Sequence, residues 1–488
     1  MNGPAQTKRS HRVWEWLALA SLAVGLATFF WWPLPVRGGL IGGDTYNYFF
    51  PLRDFYRQGL LAGELRLWHP GIGNGVPILG ESQTGLFYPF YLLAYRLLDL
   101  NDAYSAIFLG HYLFAYLATY ALARFLGGGP LAAHAGAIIF VYGWFPPRAC
   151  LEWAIVTGAW LPVVIGRTLA FLARGGFARW SALAIAVACQ LLAGHFNLAW
   201  ITNLTAAILI LLPLGWILPQ AGPMPMVRRA NALLALIIGF ALAGPQLLPA
   251  WELKQVSQRS ADDFLAEISK GNVPPAYFVR SQWPLDYLHH RDEVLAELQA
   301  LTNQVEAHLY LGPTAIALAG LALILGWSRP QGVFWWLLAL GMGMLATGIA
   351  MPALASLPGF SFFRYCGRYG IVTQLGMALA ASAGLQALYR RAPRAGTIVS
   401  LISAGLLLAE YTFVGHQVQY VTMVDPPMIN RRPESRVFGQ LKPTNRVLAI
   451  DGNTLALSGA ACVPPYLGMG PAEYYKTWER FPNVFTGQ

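Results

Sequence analysis

Charge is what this sequence has least of. Asp, Glu, Lys and Arg make up 11% of its 488 residues, where a soluble chain carries about 25%. With 56% hydrophobic residues and a mean hydropathy of +0.45, an ordinary water-soluble domain is excluded. Acids are scarcer than bases, 23 against 33, for a net charge of +10. No basic run is interleaved with aromatics, so the excess does not read as a nucleic-acid surface. Short segments of alternating polarity are missing too, which excludes an outer-membrane barrel. Only four cysteines occur, Cys150, Cys189, Cys366 and Cys462, and none stands in a CxxC or other metal-type spacing. They read as isolated apolar residues rather than a cysteine metal centre. The first apolar run, "VWEWLALASLAVGLATFFWWPL" after "KRSHR", lacks a small-residue cleavage site. It reads as an uncleaved first span with Trp pairs anchoring its two ends.

What the chain does have is long apolar runs. About eleven spans are expected, near residues 13–34, 103–124, 130–146, 153–173, 180–194, 196–217, 230–250, 307–327, 332–350, 368–389 and 396–415. The stretch 84–98, "TGLFYPFYLLAYRLL", is too short to span and is expected to lie at the membrane surface. With the N-terminus in the cytoplasm, the short inner loops hold Arg124, Arg174, Arg179, Arg228, Arg229, Arg329, Arg390, Arg391 and Arg394 and no acids. That satisfies the positive-inside rule at every loop. The fold class is therefore an all-α polytopic membrane protein. Residues 1–415 form its transmembrane domain, with outer loops at 35–102 and 251–306, and 416–488 a short extracytoplasmic tail. A tail of some 70 residues is marginal for its own core, so it packs on the bundle or marks a short form of a longer protein.

Polar residues collect on the outer face, and the first outer loop has the clearest pattern. "IGGDTYNYFF" places a lone acid, Asp44, just beyond the first span. Phe49, Leu52, Tyr56 and Leu60 then recur at helical spacing, with Pro51 suited to a first turn and Arg53, Asp54, Arg57 and Gln58 off that face. A Gly- and Pro-rich turn, "WHPGIGNGVPILGE", ends at Glu81. Two readings of Asp44 stand: N-cap of the surface helix, or general base where a lipid phosphate and a sugar hydroxyl meet.

Other outer-face residues also have two readings. Arg364 and Arg368, four apart at the start of a span, face the same way on one helical turn and suit a phosphate or interfacial snorkelling. Lys254 and Arg259 open the second outer loop as further phosphate ligands or as solvated charges. His195 and Asn197 separate two spans, lining a cavity or capping a helix. Gln246 and Glu252 flank Pro249, and Glu81 suits sugar hydroxyls or an arginine partner. Arg148 and Glu152, four apart, are expected to pair with each other. His289 and His290, with Asp286 and Asp292, match no defined metal site.

Taken in order, "GGDTYNYFFPLRDFYRQGLLAGELRLWHPGIGNGVPILGESQTGLFYPFYLL", "LLAGHFNLAW", "GPQLLPAWELKQVSQRS", "EAHLYLGPTAIALAGLALI", "FFRYCGRYG" and "VPPYLGMGPAEYYKTWERF" resemble the YfhO-like bacterial membrane proteins. These belong to the GT-C class of integral membrane glycosyltransferases. The resemblance implies an inverting transferase in the bacterial cytoplasmic membrane. It implies a polyprenyl-phosphate-linked sugar donor and a glycan, lipid or protein acceptor in the cell envelope. It also implies that the aspartate of the first outer loop, here Asp44, is catalytic. Other members of the class often carry a second acid beside it, but here Gly42 and Gly43 precede Asp44. No obligatory metal cofactor is therefore expected, with a divalent cation as the alternative. A transporter or flippase for lipid-linked glycans would show internal repeats or midplane charges, and neither is evident. A non-catalytic scaffold of the same fold is the remaining alternative.

Overall fold

The computed structural model of the chain describes residues 4–218, 224–257, 271–300, 302–325, 329–357, 359–363, 365–417, 423–424, 437, 440–441, 445–448, 453–463 and 465–474. The described residues are mostly helical. The first helix, α1 (Pro4–Phe30), leads into the first long loop, which carries α2 (Phe50–Ala62) and α3 (Pro89–Leu97). The bundle continues with α4 (Leu100–Phe125), α5 (Pro130–Trp144), α6 (Glu152–Gly158), α7 (Leu161–Arg174), α8 (Phe177–Leu192) and α9 (Phe196–Leu211). Next come α10 (Met226–Leu242) and α11 (Gly244–Val256), then α12 (Pro313–Ile324), α13 (Arg329–Ala346), α14 (Gly370–Arg391) and α15 (Pro393–His416).

Each of the eleven expected spans has a helix at its place. Among the described residues, four of these are long and apolar enough to cross a membrane by length and composition, and a fifth is the bent pair α10–α11. The chain is a multi-pass, all-α membrane protein. The 73° bend between α10 and α11 falls at Ala243, and Pro245 lies in the first turn of α11, where it cannot continue the preceding helix. Segment 84–98 holds only the nine-residue α3, too short to span, as expected. One boundary moves: the span expected at 307–327 starts at Pro313, after Gly312 in the left-handed region, and residues 303–312 run along the top of the bundle instead.

Helix α14 is the centre. The stretch Cys366–Arg391 is 89% buried, against 33% for Pro393–His416. It packs on α12, α13 and α5. Its sequence is rich in Gly, Ala and Ser, the residues that let membrane helices approach closely. At Gly384 a side chain would run into the Leu318 carbonyl of α12.

Strands are short and few. Loop strand β1 (Leu40–Ile41) pairs antiparallel with β4 (Met423–Val424) of the tail, and β2 (Trp68–His69) pairs with β3 (Val76–Pro77). In the tail β5 (Arg446–Leu448) and β6 (Ala461–Val463) are parallel. Cys462 of β6 donates to the Gly71 carbonyl at 2.9 Å and accepts from the Gly73 amide at 2.8 Å. The described part of the tail thus lies on the first outer loop.

Candidate functional site

Asp44 stands between β1 and a π-helical turn, Thr45–Phe49, that runs directly into α2. Phe49, Leu52 and Tyr56 form the buried face, and Pro51 lies in the first turn, as the spacing required. Asp44 occupies the cap position, yet its side chain makes no capping bond. The carboxylate accepts instead from the Tyr466 hydroxyl, at 2.7 Å to Oδ1. The cap reading therefore falls: with αR backbone at Asp44 itself, the side chain turns away from the helical amides.

The preceding glycine explains the close fit. Gly43 has φ +73°, and a Cβ there would lie 3.0 Å from the Cys150 Cβ. The Thr45 amide and hydroxyl both donate to the Cys150 carbonyl at 3.0 Å. The loop is thus fastened to the segment between α5 and α6, and Asp44 comes within electrostatic range of Arg368 and Glu306.

Arg368 and Glu306 form a two-pronged pair. The Arg368 Nε donates to Glu306 Oε2 at 2.9 Å, and its Nη2 to Oε1. The Arg368 Nη1 lies 3.2 Å from His195 Nε2. The guanidinium stacks over Trp153 at 4.5 Å and Tyr365 at 4.7 Å, and the His195 ring stacks on Trp153 at 3.8 Å. Burial pushes the Asp44 carboxyl above the usual range; the Tyr466 bond draws it down, Glu306 adds to the rise and Arg368 opposes it. Burial, Asp44 and Glu306 together raise the Cys150 thiol, so it is no nucleophile.

The structure therefore brings three of the expected residues together: Asp44, Arg368 and His195. Glu81 lies one step away. It is buried and accepts from the Gln83 amide and side chain, both at 3.1 Å, and Gln83 reaches the Tyr48 hydroxyl at 3.5 Å. Gln246 has a tying role, with its amide donating to the Ser82 and Leu192 carbonyls at 3.2 and 3.3 Å. Asn197 is buried in the first turn of α9, which His195 caps from the preceding position. The Lys254 ammonium sits 4.6 Å over the Phe362 ring. Glu252 is exposed on α11, apart from the Asp44 network. Arg259 and Arg364 lie outside the described residues, as do the side chains of Asp286, His289, His290 and Asp292.

Two expectations are corrected. Arg148 and Glu152 do not pair, because residues 149–151 break the helix between them and the four-residue rule no longer applies. Arg148 donates to the carbonyls of Glu306 (3.2 Å) and His308 (2.7 Å), while Glu152 takes Arg53 at 3.1 Å. Arg53 was placed on the polar face and is in fact 1% exposed. Arg368 itself stands in a 3-10 turn that Tyr365, left-handed at φ 65°, opens. Four residues of the site had no assigned role in the sequence: Glu306, Trp153, Tyr466 and Gln83. Glu306 and Tyr466 lie within the quoted motifs "EAHLYLGP" and "VPPYLGMG", and that was their only signal. Among the described residues no group of three or more His, Cys, Asp or Glu is arranged to hold a metal ion.

No known family profile matches the sequence, and no curated protein matches it. Among solved structures, the Archaeoglobus fulgidus oligosaccharyltransferase in its apo form aligns with 92% of this chain at 13% identity and a TM-score of 0.49. The chain spans 64% of that protein's length. ArnT from Cupriavidus metallidurans, bound to undecaprenyl phosphate, aligns over 92% of this chain and 85% of its own at 14% identity and a TM-score of 0.45.

Proposed function

We propose that this chain is a membrane glycosyltransferase of the GT-C class. It moves a sugar from a polyprenyl-phosphate-linked donor to a cell-envelope acceptor, with Asp44 as general base. The observation that carries this reading is the convergence on Asp44. A carboxylate just beyond the first helix meets Tyr466 of the tail and feels the charges of Arg368 and Glu306, beside Trp153 and His195. A helix cap needs none of these neighbours. A base that must accept a proton in a partly desolvated place does.

The acceptor hydroxyl attacks the anomeric carbon and its proton passes to Asp44. The bond from that carbon to the phosphate oxygen breaks, and polyprenyl phosphate leaves. Charge grows on the leaving phosphate, so nearby cations lower the barrier. We assign this to Lys254 and to the field of Arg368, whose charge Glu306 partly balances. Glu81 and Gln83 lie where sugar hydroxyls would be recognised. The order of motifs resembling the YfhO-like proteins supports the same reading, as does the arginine-rich character of the opposite loops. It sets the site on the extracytoplasmic face of a bacterial inner membrane, under the tail.

The test is sugar transfer in liposomes from a panel of radiolabelled polyprenyl-phosphate sugars, with wild type and Asp44→Asn. The variant keeps the shape and an acceptor for Tyr466 but removes the base. A loss of about 10²–10⁴-fold is expected. Equal transfer by both would remove Asp44 from the chemistry. No transfer by either, with lipid-linked sugar still crossing the bilayer, would put a flippase in its place; neither activity would leave a scaffold.

A further inference from the structure

Tyr466 lies 422 residues from Asp44 in the chain, yet its hydroxyl position is closely determined. The side chain of Asn453, fully buried, clamps the Tyr466 backbone from both sides. Its Nδ2 donates to the Tyr466 carbonyl at 2.7 Å, and its Oδ1 accepts from the Tyr466 amide at 3.0 Å. The Asn453 amide in turn donates to the carbonyl of Asn47 at 2.9 Å, three residues beyond Asp44. A closed circuit results: Asp44, the turn to Asn47, Asn453, Tyr466, and back through the phenol to Asp44. Tyr48, from the same turn, packs edge-on against the Tyr466 ring at 5.8 Å. Two residues further along, Gly468 passes so close to Glu81 that a Cβ there would lie 3.1 Å from Oε1 and would overlap the Gln83 amide. Segment 466–468 therefore runs from one carboxylate of the candidate site to the other.

We infer that Tyr466 is a positioning residue of this site: its hydroxyl holds Asp44 Oδ1 so that Oδ2 is the oxygen presented to the acceptor. The tail is then a wall of the site rather than an appendage to it. The inference rests on the reading of Asp44 as general base. A phenol that donates to a carboxylate favours its ionised form. Glu306 opposes that form and Arg368 supports it; Cys150, a further titratable neighbour among the described residues, has its thiol raised by burial. Removing the hydroxyl leaves those groups in place and takes away one stabilising bond. The carboxylate then protonates at higher pH, and base catalysis is lost sooner on acidification.

The experiment is a pH–rate profile of sugar transfer for wild type, Tyr466→Phe and Tyr474→Phe in liposomes. Tyr474 anchors the same segment through the Gly75 carbonyl at 2.7 Å and does not touch Asp44, so it controls for loosening of the tail. For Tyr466→Phe the acidic limb moves to higher pH. Rates fall several-fold in mildly acidic buffer, recover toward wild type in alkaline buffer, and change in kcat more than in donor KM. For Tyr474→Phe the limb stays in place. An unmoved limb in folded Tyr466→Phe, or an equal shift in both variants, overturns the inference. Should Tyr466→Phe not fold, 3-fluorotyrosine at 466 donates a stronger bond and must move the limb the opposite way; an unmoved limb there overturns the inference as well. Wild-type rates in Asp44→Asn would instead overturn the underlying reading.

Discussion

Among the described residues, two buried Arg–Glu pairs are made of the same side chains and put to different uses. Arg53 and Glu152 meet at 3.1 Å with both side chains 1% exposed. Neighbouring groups close the contact: Arg53 also donates to the carbonyls of Gln83 (3.2 Å) and Thr84, and lies 3.7 Å over the Tyr91 ring. Glu152 takes the Tyr91 hydroxyl at 2.7 Å. This pair is a latch that fastens α2 and the end of the first outer loop to α6. Arg368 and Glu306 are 12% and 7% exposed, and their charges reach Asp44, with the arginine's free edge on His195. Identical chemistry thus serves as a fastening at the first pair, and at the second as a source of field felt by the Asp44 carboxylate.

The contrast can be broken from either side. The largest effect is expected at the latch. Glu152→Ala leaves a buried, uncompensated guanidinium and should cost about 3–5 kcal/mol of stability, read as a large fall in the unfolding midpoint in detergent. The double variant Arg53→Met/Glu152→Leu should recover most of that loss, because apolar residues of similar size often replace a buried pair at little cost. A Glu152→Ala protein as stable as wild type would mean that the latch carries no load. At the second pair the expected effect is on rate. Arg368→Lys keeps the charge and loses the planar fork, so sugar transfer should fall about tenfold, equivalent to about 1.4 kcal/mol, while the unfolding midpoint moves less than in Glu152→Ala. The reverse ranking would exchange the two roles.

The smallest effect has an unusual sign. The folded-state pKa of Asp44 lies above its unfolded value, with burial as the main cause. Between those two values the folded chain binds more protons than the unfolded one, so this group makes stability fall as pH rises. Wherever Asp44 is ionised, the carboxylate therefore destabilises the fold. Asp44→Asn should raise the unfolding midpoint slightly in neutral buffer and not in strongly acidic buffer. A lower midpoint for the variant at neutral pH would show that the Tyr466 bond outweighs the burial penalty. A residue that costs stability where it stands is what a site under functional constraint carries.

Much of the site could be read from residue types and order alone. Asp44 is a lone acid after an apolar run, His195 interrupts two runs, and Arg368 is a cation against the charge trend of the loops. Their mutual approach was not legible, nor was Glu306 as the partner of Arg368, because Glu306 read as the last residue of a long loop, just before a span starting at 307. The error at Arg148 has a local cause. Spacing of four predicts a shared face only while the helix is continuous, and the short break at 149–151 leaves little mark in composition.

By itself the sequence determined the class of the protein. Scarce charge, long apolar runs and arginines gathered in short loops require a helical bundle in a membrane, since only helices satisfy every backbone group there. The same local rules gave the amphipathic α2, its proline start and the short surface helix α3. Only the tertiary structure decided which acid belongs to which base, that Asp44 caps nothing, and that a tail 422 residues away supplies its hydrogen-bond donor. Periodicity acts within a few turns of one helix. Contacts between loops are set by how the helices beneath them pack, and that information is spread over the whole chain.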